Sequence, residues 1–288
     1  MVTGIIASAG CDIVVHIREL DPVDAAVAPG DVMPTCTFSE WSAPVRIAAN
    51  DPGLDDEEPA LSPDGQIVVW QRKLIQSDVD LWYAVRTGND FVSPQEILVA
   101  NTNGLETGPF WSPDGTRLYY TQGAEGVAKA VTAVDAGPTF RNPMPTDELS
   151  SLPYVERPRF RDDGLEIVYF AHPTADLFHA TRTQPTSTIW TASELSTVSS
   201  PAVDHDPTLT ADGLTMYFSS AATNDGSLHL FAATRPRLDG PFDAATDLGN
   251  FGVAQPSGPD VSRDGMTMVF SGYPDNQSDI YIMTRHCE

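Results

Sequence analysis

The sequence predicts an all-β chain built as a ring of five four-stranded antiparallel units. Three observations predict it: an Asp-Gly turn that returns five times at near-constant spacing, a fixed apolar pattern around each turn, and a last unit one strand short. Self-similarity at a period near 50 residues marks a repeat architecture rather than a run of unrelated hairpins. Four strands in a unit of that size is the make-up of one blade of a β-propeller, so the expectation is a five-bladed one.

The turns read SPDG at 62–65, SPDG at 112–115, RDDG at 161–164, TADG at 210–213 and SRDG at 262–265. Their glycines, Gly65, Gly115, Gly164, Gly213 and Gly265, lie 50, 49, 49 and 52 residues apart. Asp-Gly supplies the positive φ that a tight hairpin needs. Five equivalent copies of the aspartate, Asp64, Asp114, Asp163, Asp212 and Asp264, point to a structural role in each hairpin rather than to catalysis.

The first strand of each unit carries a proline (Pro59, Pro109, Pro158, Pro207, Pro259) and, two residues on, a large apolar side chain (Leu61, Trp111, Phe160, Leu209, Val261). The second strand has an aliphatic residue or Met three positions after the glycine and an aromatic at five: Trp70, Tyr120, Tyr169, Phe218 and Phe270. Alternation at period two with β-branched and aromatic residues is the strand signal. Third strands read DLWYAVR at 80–86, DLFHATR at 176–182, HLFAATR at 229–235 and DIYIMTR at 279–285, with a degenerate AKAVTAV at 128–134 in the second unit. Fourth strands begin near Phe91, Phe140, Ile189 and Phe242.

The fifth unit stops three residues after its third strand, so its fourth strand is expected from the other end of the chain, at FSEWSAPVRI, 38–47. An open ring would leave an unpaired strand edge, which invites aggregation. In this arrangement Cys36, two residues before Phe38, meets Cys287, two residues after Arg285. A disulfide there would take the place of the missing hairpin and stabilise by about 2–5 kcal/mol; the alternative is two neighbouring free thiols. If the bond forms, the compartment is oxidising. Residues 36–288 are read as one propeller domain and 1–35 as an arm. MVTGIIASAGC places small residues before Cys11, as a lipoprotein cleavage site does, but without a basic leader, so the arm is a candidate signal or anchor region or an ordinary N-terminal strand.

Forty acidic residues against sixteen basic ones give a net charge of −24, which repels phosphate backbones and excludes a nucleic-acid reading. No apolar run is long enough to span a bilayer. No HExxH, paired CxxC or GxSxG occurs, so zinc and serine hydrolase readings have no support.

EPALSPDGQIVVW and GPFWSPDGTRLYY resemble the TolB-like propeller repeat, a proline-led strand, an SPDG turn, then a strand with an aromatic near its end. The RDDG, TADG and SRDG units depart at Ser and Pro but keep Asp-Gly. The resemblance covers about residues 36–287 and implies a periplasmic, envelope-attached or secreted propeller that binds other proteins, with no shared catalytic constellation.

The loops entering the first strands read DDEEP, LETGP, YVERP, VDHDP and QPSGP. Residues just before the prolines are expected to ring the channel mouth: Glu57 and Glu58, Thr107 with Glu106 behind it, Glu156 and Arg157, His205 and Asp206, and Ser257. Variable loops on a regular scaffold carry recognition, and GYPDNQS makes Tyr273 a candidate contact. Two functions follow. The first is a non-catalytic, monomeric binding module recognising a protein or glycan through this rim. The second is a carbohydrate-active hydrolase or lyase with Glu58, Glu156 and Asp206 as carboxylates and His205 and Arg157 as orienting groups. No cofactor is identified; a divalent cation such as calcium in the axial channel is the one inorganic ligand the carboxylates would suit.

Overall fold

The computed structural model describes residues 36–75, 78–123, 130–135, 140–152, 155–171 and 176–288. The arm at 1–35 with Cys11, and His172, lie outside the described residues. Every regular element described is a β-strand, and among the described residues no helix is long and apolar enough to cross a membrane.

The first repeat holds β2 (Asp55–Leu61), β3 (Ile67–Ile75), β4 (Asp78–Thr87) and β5 (Asp90–Glu96). The second holds β6 (Leu105–Trp111), β7 (Arg117–Gly123), β8 (Ala130–Asp135) and β9 (Arg141–Pro145). The third is β10 (Val155–Phe160), β11 (Glu166–Ala171), β12 (Asp176–Thr181) and β13 (Thr191–Glu194). The fourth is β14 (Asp204–Leu209), β15 (Thr215–Ser220), β16 (His229–Thr234) and β17 (Thr246–Gly249). The last combines β18 (Ser257–Val261), β19 (Thr267–Gly272) and β20 (Asp279–Thr284) with β1 (Val45–Arg46) from the other end of the chain. The first strands β2, β6, β10, β14 and β18 pack each against the next, and β18 against β2, which closes a propeller around one axis.

The expectation of five separate blades is corrected: the strands hydrogen-bond into four sheets. Three are four-stranded, while the first two repeats share one eight-stranded sheet, because a parallel bridge between Val79 and Leu105 joins β4 to β6. The closing strand is also shorter than its sequence window. Only Val45 and Arg46 form a ladder, opposite Ile282 and Tyr281. Pro44 has no N–H to give, and the chain before it is held by separate bonds, Ser42 N to Thr284 O (2.8 Å) and Ser39 N to His286 O (2.9 Å) among them, and by an isolated antiparallel bridge between Phe38 and Cys287. Cys36 and Cys287 are disulfide-bonded beside this seam, with Cα atoms 5.4 Å apart.

Burial follows the repeat. Trp70, Tyr120, Tyr169, Phe218 and Phe270 are all within 1% of full burial, each in the cluster between two neighbouring repeats. Removing each such side chain from water contributes about 1.5–3 kcal/mol, so the aromatic position is the main adhesive between repeats. The turns are knit by the residues that announced them. Ser62, Ser112, Thr210 and Ser262 each donate through Oγ to the following turn aspartate at 2.6 Å. Each of those aspartates in turn accepts a backbone N–H two residues on. In RDDG, Arg161 takes the place of the hydroxyl and binds Asp163 at 2.7 Å.

Candidate functional site

Each first strand bulges at its proline, where the ladder to the second strand slips register. The residue before the proline takes a left-handed backbone in all five copies: Glu58 (φ 55°), Gly108 (60°), Arg157 (47°), Asp206 (56°) and Gly258 (62°). Glycine adopts this without penalty, whereas a side chain there costs about 1–2 kcal/mol. Strained side chains persist where the surroundings fix them, and they gather at functional positions. Here the three non-glycine copies are all charged, and they meet.

Arg157 donates through Nη2 to Glu58 Oε1 and through Nη1 to Asp206 Oδ1, binding repeats one, three and four at the axis. Its guanidinium carbon lies 5.7 Å from the Phe170 ring centroid. His205 Nδ1 donates to the other oxygen of Asp206 at 2.6 Å. Burial alone would raise the Asp206 pKa, but the Arg157 charge and then His205 outweigh it and hold the carboxyl well below the ordinary range. Glu58 Oε2 is buried without a hydrogen bond. A second chain runs beside the first: Tyr273 donates to Glu57 Oε1, Gln71 Nε2 donates to Glu57 Oε2 (3.2 Å), and Gly108 N donates to Gln71 Oε1 (3.3 Å). Burial first, and the Glu57 contact second, push the Tyr273 phenol above its usual range.

The structure therefore brings together Glu58, Arg157, Asp206 and His205, and ties Glu57 to Tyr273. Other sequence candidates lie apart. Glu106 is fully buried and accepts from Thr102 N (3.0 Å), Thr102 Oγ1 (2.7 Å) and Gln122 Nε2 (3.2 Å). It points away from the mouth because successive strand side chains alternate faces. Asp56 and Asp204 do the same work, each accepting an N–H from its entry loop, Asp51 N at 2.8 Å and Ser200 N at 2.5 Å. This acid, three residues before the proline in three units, is a loop clamp whose recurrence is visible in the sequence. Glu156 is exposed opposite Phe170, and Thr107 sits opposite Thr121 in its ladder. Ser257 Oγ pairs with Ser271 Oγ at 3.1 Å within the last repeat.

Among the described residues no group of three or more His, Cys, Asp or Glu has the geometry to hold a metal ion. Glu58 and Asp206, two of the mouth carboxylates, are both bound by Arg157.

No protein-family model matches the chain, and no curated protein sequence does. Solved structures share its fold. A protein of Agrobacterium tumefaciens described as TolB is 17% identical, with 86% of each chain covered and a TM-score of 0.52. A family-43 endo-arabinanase of Bacillus licheniformis is 15% identical over 82% of this chain and 95% of its own, at 0.55. An α-L-arabinofuranosidase of Podospora anserina is 10% identical over 83% and 94%, at 0.53. At such identities the likeness is one of fold, and a propeller hosts unrelated activities.

Proposed function

We propose that residues 36–288 form one non-catalytic binding domain that recognises a protein or glycan through the entry-loop rim. The observation that carries this reading is Arg157. It occupies Glu58 and Asp206 together, so two of the three carboxylates named for acid and base are held on one guanidinium. A general acid needs a raised pKa near neutrality, and Asp206 is displaced the other way. The strained, crosslinked mouth is thus a rigid platform, and the exposed groups around it, Glu156 among them, are contact groups. The Cys36–Cys287 bond supports an oxidising location, in the periplasm, on the envelope or outside the cell, and the working unit is taken to be a monomer.

The test is a glycan and peptide array on the folded protein, followed by the rim variant Tyr273→Lys, which puts a cation beside Glu57. Ligand capture should fall at least tenfold while the melting temperature stays within a few degrees. Turnover of an arabinan or xylan panel that disappears in both Glu58→Gln and Asp206→Asn would overturn the binding reading in favour of the hydrolase one.

A further inference from the structure

The loop 97–104, between β5 and β6, belongs to the entry-loop rim and carries two exposed apolar side chains, Leu98 and Val99. Leu81 on β4 holds it. Ile97 N donates to Leu81 O (2.9 Å), Asn101 Nδ2 donates to the same oxygen (3.1 Å), and Asn101 Oδ1 accepts from Leu81 N (2.8 Å). At the far end of the loop Gly104 O accepts from Val79 N at 3.0 Å, beside the bridge that joins the first two repeats. The last repeat uses the same clamp on the loop that leads into β2. There Ile47 N and Asn50 Nδ2 donate to Ile280 O (3.1 and 2.9 Å), and Asn50 Oδ1 accepts from Ile280 N (2.9 Å).

The two clamps differ in the charges beside them. Asp279 precedes Ile280, Arg46 precedes Ile47, and the two are bonded at 2.6 Å. Burial raises the Asp279 pKa, and Arg46 works against it. The matching residues before Leu81 and Ile97 are Asp80 and Glu96, two acids. Asp80 is 6% exposed, and its Oδ1, like Asp78 Oδ1, is buried without a hydrogen bond. Three carboxylates act on it: Asp78 from its own strand, Glu96 from β5 and Glu106 from β6. On β3, Arg72 lies opposite Asp80 but is bonded to Asp56 and Ala49 O, and Lys73 is opposite Val79, on the other face of the ladder. On β7 the Tyr120 phenol, which donates to Ala100 O at 3.5 Å, is pushed up to about 12 by burial and then by Glu106. A buried carboxylate among like charges is relieved either by taking up a proton or by meeting water.

We infer that the loop 97–104 is an acid-tightened element of the rim: a proton on Asp80 holds it against β4, and loss of that proton to water loosens it. Glu96 and Glu106 bracket the loop, so lifting it draws both away from Asp80 and lets water in. The Asp80 carboxyl sits at about 6 in the closed loop against an ordinary 3.8. Between these values the closed form holds a proton that the open form releases, so opening becomes easier as pH rises and levels off above the upper one. The device belongs to the loop and holds whether or not the rim binds a partner.

The test is amide hydrogen exchange on the whole protein, corrected for the intrinsic pH dependence of exchange. From pH 4 to pH 7 the protection of Val79 and Leu81 N–H should fall by about ten- to a hundredfold. Leu177 N–H, which donates to Ser199 Oγ (3.1 Å) at the same place in repeat three beside the half-buried Asp176, should change by less than about threefold. Asp80→Asn should keep both repeat-one amides protected at either pH. Glu96→Arg, which copies the Arg46 arrangement, should preserve protection at pH 7 and shrink the response severalfold; should one variant fail to fold, the other decides. A response that survives in Asp80→Asn or is undiminished in Glu96→Arg would overturn the proposal. So would an unchanged protection of Val79 and Leu81 in the parent, or an equal response at Leu177, which would assign the effect to the whole fold. Tyr273→Lys should leave the exchange pattern of this loop unaltered, so the outcome is separable from that of the binding test.

Discussion

Arg72 and Asp80 are directly opposite each other in the β3–β4 ladder, yet they are not ion-paired. Arg72 is committed to Asp56, donating through Nε at 2.6 Å and through Nη2 at 2.9 Å. Asp80 is left buried, with Oδ1 lacking any hydrogen bond. Burial first, then the charges of Asp78, Glu96 and Glu106, raise its pKa to about 6. The folded value lies above the unfolded one, so between these two values the native state holds the extra proton and stability rises as pH falls. Asp80→Asn removes the buried charge while keeping the shape. It should raise the melting temperature at pH 7.5, by about 2–4 °C for each kcal/mol recovered, and leave it nearly unchanged at pH 4. A gain of equal size at both pH values would show that the charge is not the cause.

At the scale of the element, the Asp-Gly hairpins share one backbone but not one neighbourhood. Gly115 (φ +70°) has only Pro63 near its missing Cβ, at 3.5 Å, whereas at Gly213 (φ +67°) a Cβ would meet Arg161 Cδ at 2.5 Å and Leu238 Cδ2 at 2.9 Å. Arg161 cannot readily retreat, because it is bound to both Asp163 and Glu166. Gly115→Ala should cost about 1–2 kcal/mol for the left-handed backbone, and Gly213→Ala about 1–3 kcal/mol more for the clash. Equal costs in urea denaturation would refute the distinction. These hairpins were legible in the sequence because their chemistry is local: Ser, Asp and Gly within four residues specify the turn. The final arginines of the third strands were visible in the same way, but their purpose was not. Arg182, Arg235 and Arg285 donate Nε to the turn carbonyls of Gly164, Gly213 and Gly265 at 2.6–2.7 Å. They also stack on Trp190, Phe242 and Phe38, contacts made only once the fourth strand is in place.

Over the whole molecule, what could be read depended on distance along the chain. Aligning the prolines placed Glu58, Arg157 and Asp206 at one mouth, but not that Arg157 would bind both carboxylates, since that contact spans 99 residues on one side and 49 on the other. The merging of the first two repeats into one sheet rests on a single bridge that no periodicity announces. Closure of the ring was readable, because a strand missing at one end and a spare one at the other can only be reconciled by joining them. The seam's fastenings include the short β1–β20 ladder, Arg285 stacked on Phe38 and Trp41 at 3.7 and 4.3 Å, and the Cys36–Cys287 bond across 251 residues. The first two belong to the native state alone, whereas the disulfide acts mainly by restricting the unfolded chain. Cys36→Ser with Cys287→Ser should therefore lower unfolding free energy by about 2–5 kcal/mol while leaving the native environment of Trp41, read by fluorescence, unaltered. Loss of the folded signal without denaturant would mean instead that the covalent bond, and not the packing beside it, closes the ring.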